Sequence, residues 1–512
     1  MTPREVVEVD GRTLTPAAVC RVARGQARAR LGSGVVRDLS RSRRVVDDAL
    51  TEQSTFYGVN TGFGQLAKVR IPLDKVEALQ LNLVRSHAAG VGPRAEAETV
   101  RALLLLRANV LARGHSGVRP LVLKRLMSLL THDILPVVPE QGSVGASGDL
   151  APLAQVALAL IGEGRVIHRG RRTTASRALA KESLEPVRLQ AKEGLALING
   201  TQFTSAIACL TLERARTAIL SADVTAALSI DALKGSWHAF DARIHEARPH
   251  AGQLLSAKNL FRLLQDSEVW RSHETCDAVQ DAYSMRCAPH VHGTARDALA
   301  QLERILAIEI NASTDNPMVF ADDGEIVSGG NFHGAPLAAG LDYLTLALTS
   351  LASIVERRCD RLVNPLVSGL PAFLAGDPGL ESGLMLAQVT AAALVSECKT
   401  LAHPGSVDSI PTSGCQEDHV SMSTWCARKA REVVGKLETV IAIELLAGVI
   451  ALRHHRPLRT SPALESVLSG VQKQVRIPRR DAPPGPLTER LAELVRDGSL
   501  LRWAERGGVK VR

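Results

Sequence analysis

The chain has 512 residues, of which 45% are hydrophobic, 22% charged and 3% aromatic. That composition excludes collagen-like, coil-only and disordered chains, and the length buries a large core without covalent staples. The net charge is +8, and +7 of it falls between Arg453 and Arg512, where 13 Lys/Arg face 6 Asp/Glu. Aromatics are not interleaved with that basic run, so it reads as a solvated or subunit-contact surface and not as a nucleic-acid groove.

In chain order, Val6 to Val9, an Asp10-Gly11 turn and Arg12 to Leu14 predict a small hairpin. Arg4, Glu5, Glu8 and Asp10 leave no apolar signal core there, so export is not expected. Tyr57-Gly-Val-Asn-Thr-Gly-Phe-Gly64 is too rich in glycine for a helix and predicts a loop. Val100 to Arg113, Leu121 to Leu130 and Ala151 to Ile161 carry apolar residues three and four apart and predict helices. The runs then lengthen: Thr204 to Leu233, Thr294 to Ile310, Ala335 to Arg361, Leu380 to Leu401 and Glu417 to Leu452. Small residues within them, as in Thr390-Ala-Ala-Ala-Leu394, let helix axes approach closely. The most apolar stretch, Leu437 to Leu452, is broken by Glu438 and Glu444, so no membrane span is expected. Pro483-Pro484-Gly485-Pro486 reads as a rigid surface loop before a last helix, Leu487 to Val495. The expected class is mainly α. Residues 1–203 form a smaller N-terminal domain with short strands, and residues 204–512 a bundle of long helices with a C-terminal helical region.

The eight cysteines, Cys20, Cys209, Cys276, Cys287, Cys359, Cys398, Cys415 and Cys426, form no C-x-x-C pair. Neither a zinc site nor a disulfide framework is written in them, and reduced thiols in a cytoplasmic protein fit best. His290 with His292, or His454 with His455, lacks a third ligand at metal spacing, so no metal is assigned.

One loop invites chemistry. Gly142-Ser-Val-Gly-Ala-Ser-Gly-Asp149 lacks the Gly-Lys-Ser/Thr ending of a phosphate loop and the strand-loop-helix setting of a dinucleotide fold. Nor is Ser147 in a nucleophile elbow, because Asp149 stands where the second glycine belongs. The segment Ala146-Ser147-Gly148 can instead react with itself. Gly148 has no Cβ, so its amide nitrogen can approach the Ala146 carbonyl carbon at little steric cost. Ring closure with loss of water, plus dehydration of Ser147, gives a conjugated exocyclic methylene, an electrophile made from backbone.

The sequence Gly142-Ser-Val-Gly-Ala-Ser-Gly-Asp-Leu-Ala-Pro-Leu-Ala154 resembles the aromatic amino acid ammonia-lyase family. The resemblance runs over roughly residues 50 to 460. It includes Tyr57 to Gly64, Ser86-His-Ala-Ala-Gly-Val-Gly92, Leu197-Ile-Asn-Gly-Thr-Gln202 and Gln280-Asp-Ala-Tyr-Ser-Met-Arg-Cys287. Ser313-Thr-Asp-Asn-Pro317, Gly329-Gly-Asn-Phe-His-Gly334 and Gln416-Glu-Asp-His-Val-Ser-Met422 complete it. It implies an ammonia-lyase/fumarase-like fold and a self-made prosthetic group, 4-methylidene-imidazol-5-one (MIO), formed from Ala146, Ser147 and Gly148 with no external cofactor. It also implies a cytoplasmic homotetramer whose active sites draw on several chains, acting on a small amino acid and not on nucleic acid or a membrane.

Residue roles follow from the same resemblance. The substrate amine adds to the methylene, and Tyr57 takes the β-proton. A phenol is a weak base at its usual pKa of about 10, so neighbouring donors or positive charge must favour phenolate. The planar fork of Arg286 matches a substrate carboxylate, and Asn199 is a second contact to the carboxylate or to MIO. Gln280 and Tyr283 line the prosthetic group, their spacing of three, continued by Arg286, placing them on one helix face. His87 and Glu417 bear on substrate choice, because a histidine ring needs hydrogen-bond partners at both nitrogens. Phenylalanine would leave those groups unpaired. Phe332 packs against the substrate ring. The expected reaction is deamination of L-histidine to trans-urocanate and ammonia. Tyrosine deamination and an aromatic 2,3-aminomutase reaction stay open, while a scaffold would need none of these residues. The chain departs from the family pattern at Ala282 and Ala251, where proline is usual, and at His290, where glutamine is expected.

Overall fold

The computed structural model describes residues 5–52, 56–62, 69–274 and 279–512. Phe63 and Gly64 of the glycine-rich loop, and Cys276, lie outside the described residues. Two compact units emerge, both discontinuous in sequence. The first comprises Met1–Leu210, Leu302–Leu341 and Pro404–Arg428, and the second Thr211–Gln301, Asp342–His403 and Lys429–Arg512.

In the first unit, Glu5–Val9 is a strand, but it pairs in parallel with Ala27–Leu31 after the helix Pro16–Ala23. The expected hairpin is thus corrected to a strand-helix-strand unit. Asp10 does make a turn, its carboxylate accepting from the amides of Arg12 and Thr13. The chain then enters a helix because Thr15 is a capping residue, accepting from the Ala18 amide, and Pro16 occupies the first turn. The three helices expected next are present as Ala97–Ala112, Pro120–Thr131 and Leu150–Leu160. Ala97–Ala112 is buried along most of its length and forms the centre of this unit's core. Around it lie short strands that were not expected individually. Ile134–Pro136, Arg165–His168 and Arg171–Thr174 form one antiparallel sheet. Val91–Arg94 pairs with Pro139–Gln141, and Met318–Phe320 with Glu325–Val327.

Long helices dominate the second unit. Gln202–Ala232, Ala288–Glu309, Ala335–Val363 and Met385–Leu401 recover four expected runs. The fifth begins late, as Ser423–Arg453. Residues 417–422 are irregular: Thr412 and Glu417 form an antiparallel bridge, and Met422 has φ +55°, which no right-handed helix accommodates. Pro484-Gly485-Pro486 is no loop but the first turn of the helix Pro484–Arg496, where proline's missing N–H costs nothing. A further helix, Ser499–Arg506, follows it.

Two buried carboxylates of the bundle are paired. Glu438 receives Arg214 and Arg496, and Glu444 receives Arg358. The helix most like a membrane span by composition is Ala335–Val363, and 67% of its apolar window is buried within the fold.

Candidate active site

The loop preceding the helix Leu150–Leu160 is shaped by glycines whose side-chain space is already filled. Gly145 has φ +70°, and a Cβ there would stand 2.4 Å from Ser421 Oγ. Gly148 has φ +76° and forms a parallel bridge with Gly200; its Cβ would meet the Gly200 carbonyl oxygen at 2.2 Å. No other residue fits that approach. The Asp149 amide donates to the same oxygen at 2.6 Å.

Asp149 then clamps the loop from behind. Its wholly buried carboxylate accepts from the Thr204 amide (2.8 Å), Thr204 Oγ1 (2.9 Å), Thr424 Oγ1 (2.6 Å) and Ser143 Oγ (3.2 Å). The Thr204 amide lies in the first turn of Gln202–Ala232, so Asp149 satisfies one of that helix's otherwise unpaired donors. Burial pushes its pKa up, against the four hydrogen bonds that favour the charged form. On the far side, Ser421 Oγ and the Gly334 amide both donate to the Gly145 carbonyl, and the Met422 amide donates to Val144. The tripeptide is thereby held at both ends.

Ser147 faces a cavity of about 730 Å³. Its Oγ donates to Glu417 Oε1 at 2.8 Å, while Thr412 Oγ1 donates to Glu417 Oε2 at 2.7 Å. Glu417 is therefore no helix-start carboxylate; it belongs to the irregular segment and is tied to the loop. His87 ends the helix Val76–His87, and its Nδ1 lies 2.9 Å from the Leu83 carbonyl. That contact assigns the proton to Nδ1 and leaves Nε2 as an acceptor. Burial lowers the His87 pKa more than the Leu83 carbonyl and the Glu417 charge raise it, so the ring is neutral near pH 7.

Asn199 is buried at the C-terminus of Glu193–Ile198, and its Oδ1 has no hydrogen-bond partner among the described residues. Its backbone is fixed by Arg107, wholly buried, which donates to the Asn199 carbonyl at 2.7 Å and to Gln202 Oε1 at 2.5 Å. Burial pulls the Arg107 pKa down to about 10, still far above neutrality.

Seven of the residues expected from the sequence thus line one cavity: Tyr57, His87, Ala146, Ser147, Asn199, Phe332 and Glu417. Gly148 is buried directly beside them. Gln280, Tyr283 and Arg286 do not line it. Gln280 also falls outside the helix that the spacing of three implied, because the helical turn spans only Tyr283–Arg286 after an extended Ala282. Tyr283 is 71% exposed, and the Arg286 guanidinium lies 4.6 Å from its ring centroid while Nε donates to the Asp281 carbonyl. His290 is half-buried in the first turn of Ala288–Glu309, 5.8 Å from the His245 ring, and is not a cavity residue. Burial and the neighbouring His245, Arg248 and His250 lower its pKa.

The sequence reading gave no role to Asp149, Gly200, Thr204 or Thr424, nor to His333 and His419, whose rings stack at 5.9 Å on the cavity wall. For Asp149 a signal existed: an acidic residue directly before an otherwise apolar helix needs a partner. The threonines carried none.

This arrangement gathers a phenol, a neutral imidazole and a carboxylate around Ser147 in one cavity. Comparison with known proteins agrees. The family model for aromatic amino acid lyases matches residues 14–473, and the chain belongs to that family. A histidine ammonia-lyase of Anaeromyxobacter sp. (strain K) is 50% identical over 505 residues, covering 97% of this chain and 99% of that one. The crystal structure of histidine ammonia-lyase from Trypanosoma cruzi superposes with a TM-score of 0.90 at 42% identity, over 98% of this chain and 95% of that one. A tyrosine aminomutase from Streptomyces globisporus gives 0.92 at 38% identity, over 99% and 100%.

Proposed function

We propose that this chain is a histidine ammonia-lyase, converting L-histidine to trans-urocanate and ammonia in the cytoplasm. The observation that carries the reading is the meeting of Ser147, Glu417, His87 and Tyr57 around one cavity. The self-made MIO group fits the residues present. Gly148 and Gly145 leave no room for a Cβ, and Asn199, whose buried Oδ1 has no partner among the described residues, belongs to the cavity lining. Ala146, Ser147 and Gly148 would form the ring, which supplies an electrophilic carbon for the departing amine.

The remaining work falls to side chains. Glu417 and the His87 Nε2 take the two nitrogens of the substrate imidazole, which fixes the ring and selects against phenylalanine. Phe332 packs on the ring face. Tyr57 removes the β-proton as phenolate, and Asn199 holds the polar end of the substrate. Gln280, Tyr283 and Arg286 complete the site from a neighbouring copy in a homotetramer. The exposure of Tyr283 and of Val279, 94% exposed, leaves this segment available to another chain. The cytoplasmic placement rests on the seven described cysteines, all free thiols and five of them buried.

Purified protein incubated in parallel with L-histidine, L-tyrosine and L-phenylalanine tests the reading by ultraviolet absorbance of the conjugated acrylate. Acrylate from histidine, and an intact mass two waters below that of the sequence, are the expected results. Acrylate from tyrosine alone would overturn the substrate assignment. A β-amino acid in place of acrylate would replace the lyase with an aminomutase.

A further inference from the structure

The second unit holds a cavity of its own, of about 650 Å³, within the size range of small-molecule sites. It uses two features that the reaction leaves idle: the basic C-terminal region and the proline-rich turn at Pro484. One wall is aliphatic, made by Leu374, Leu384, Leu446, Ile450, Ile477 and Leu487. Leu374, Leu384, Leu446 and Ile477 are themselves buried. Its one aromatic ring among the described residues is the imidazole of His454.

The other wall is cationic. Arg456 is paired with Glu465 at 2.7 Å, but Arg453, Arg479 and Arg480 have no carboxylate partner among the described residues. Arg453 points two donors at the Pro478 and Ile477 carbonyls, which hold it in place without neutralising it. Burial, and then the charge of Arg479, lower its pKa, so the two guanidiniums repel within the cavity. Two carboxylates also lie on the wall, each already engaged. Asp481 accepts from the Ser382 and Gly383 amides, and Glu381 from the Gly376 and Asp377 amides. With Arg456 neutralised by Glu465, three arginines against two carboxylates leave the cavity positive.

Unpaired guanidiniums beside an aliphatic surface match a ligand with a planar anionic head and an apolar tail. Arg presents paired N–H donors to a carboxylate, and the aliphatic wall rewards each buried methylene. We propose that this cavity binds an aliphatic carboxylate, its head between Arg479, Arg480 and Arg453 and its chain against Leu446, Ile450 and Ile477. The site is separate from the reaction cavity and holds whatever the substrate proves to be.

Titration calorimetry of the full-length protein with octanoate tests it, with acetate and octylamine as head-only and reversed-charge probes. The expected result is one octanoate per chain, affinity rising about fourfold per methylene along the acid series, and no binding of acetate or octylamine. The double variant R479Q/R480Q alters only exposed side chains, so it folds, and its kcat and KM for L-histidine should match those of the unaltered protein. It should bind octanoate at least tenfold more weakly, while raised salt weakens the unaltered protein in the same direction. Octanoate binding that survives in R479Q/R480Q would place the ligand elsewhere and overturn the proposal. So would the absence of heat at millimolar octanoate, or equal affinity for octylamine.

Discussion

Glu417 is the residue on which the proposed substrate choice and the loop geometry meet. One oxygen takes the Ser147 hydroxyl and the other the Thr412 hydroxyl. Glu417→Gln keeps an acceptor for one of these and removes the negative charge. Loss of a charged hydrogen bond to a buried ring is worth about 1–3 kcal/mol. The kcat/KM for L-histidine should therefore fall about 10- to 100-fold, with a smaller change for L-phenylalanine; equal losses for both would detach Glu417 from selectivity. Gly148→Ala tests the loop itself. A methyl group at φ +76°, aimed at the Gly200 oxygen, should prevent loop closure, leaving an intact mass with no water lost and no acrylate formed. The two residues also mark what was legible beforehand. Ala146-Ser147-Gly148, Tyr57, His87 and Glu417 stood in motifs whose residue types already imply the chemistry. The Gly148–Gly200 contact was not legible, because it joins residues 52 apart through a backbone bridge, and spacing along the chain does not report such distances.

At the scale of elements, periodicity gave helices well and their ends poorly. Four long runs were placed within a few residues, since apolar spacing survives wherever a helix is packed. The run from Glu417 failed at its start because Val420 and Met422 look helical in sequence, yet the backbone there is spent on the bridge to Thr412 and on the Val144 carbonyl. Glu438 and Glu444 broke an apolar stretch and argued against a membrane span, but their partners lay far off in sequence. Glu444 is fully buried and receives Arg358 Nε at 2.5 Å, Thr225 Oγ1 at 2.5 Å and Ser229 Oγ at 2.9 Å. It thereby joins three long helices: Gln202–Ala232, Ala335–Val363 and Ser423–Arg453. Removing one partner of such a pair leaves the other charge buried and costs about 3–5 kcal/mol. Glu444→Gln should lower the unfolding midpoint by several degrees in a thermal scan, whereas Glu397→Gln, at an exposed ion pair with Lys436, should shift it by much less. Equal shifts would show that the buried pair is not a particular support of the bundle.

For the whole molecule, buried titratable groups set opposing dependences on pH. Burial is the leading cause that lowers the pKa of His87, His245, His290, His292 and His455. Below about 6.5 the unfolded chain takes up protons at these sites more readily than the folded one, so stability falls as the solution is acidified. Asp231 works the other way. It accepts from Ser267 Oγ at 2.7 Å and from Thr460 Oγ1, with no ion pair among the described residues, and burial raises its pKa to about 6. A carboxyl with a raised folded pKa favours the folded state where it is protonated, and that contribution is lost as pH rises from about 4 through 6. Asp231→Asn keeps an acceptor for the hydroxyls and cannot ionise. Relative to the unaltered protein, the variant should gain up to about 3 kcal/mol at pH 7 and nothing at pH 4. The gap between the two unfolding midpoints should open across pH 4 to 7, and a constant gap would mean that Asp231 is ionised in both states throughout. Because the histidines and Asp231 pull in opposite senses between pH 4 and 6.5, the unaltered protein should show a flatter acid limb than Asp231→Asn, whose histidines act unopposed by this carboxyl.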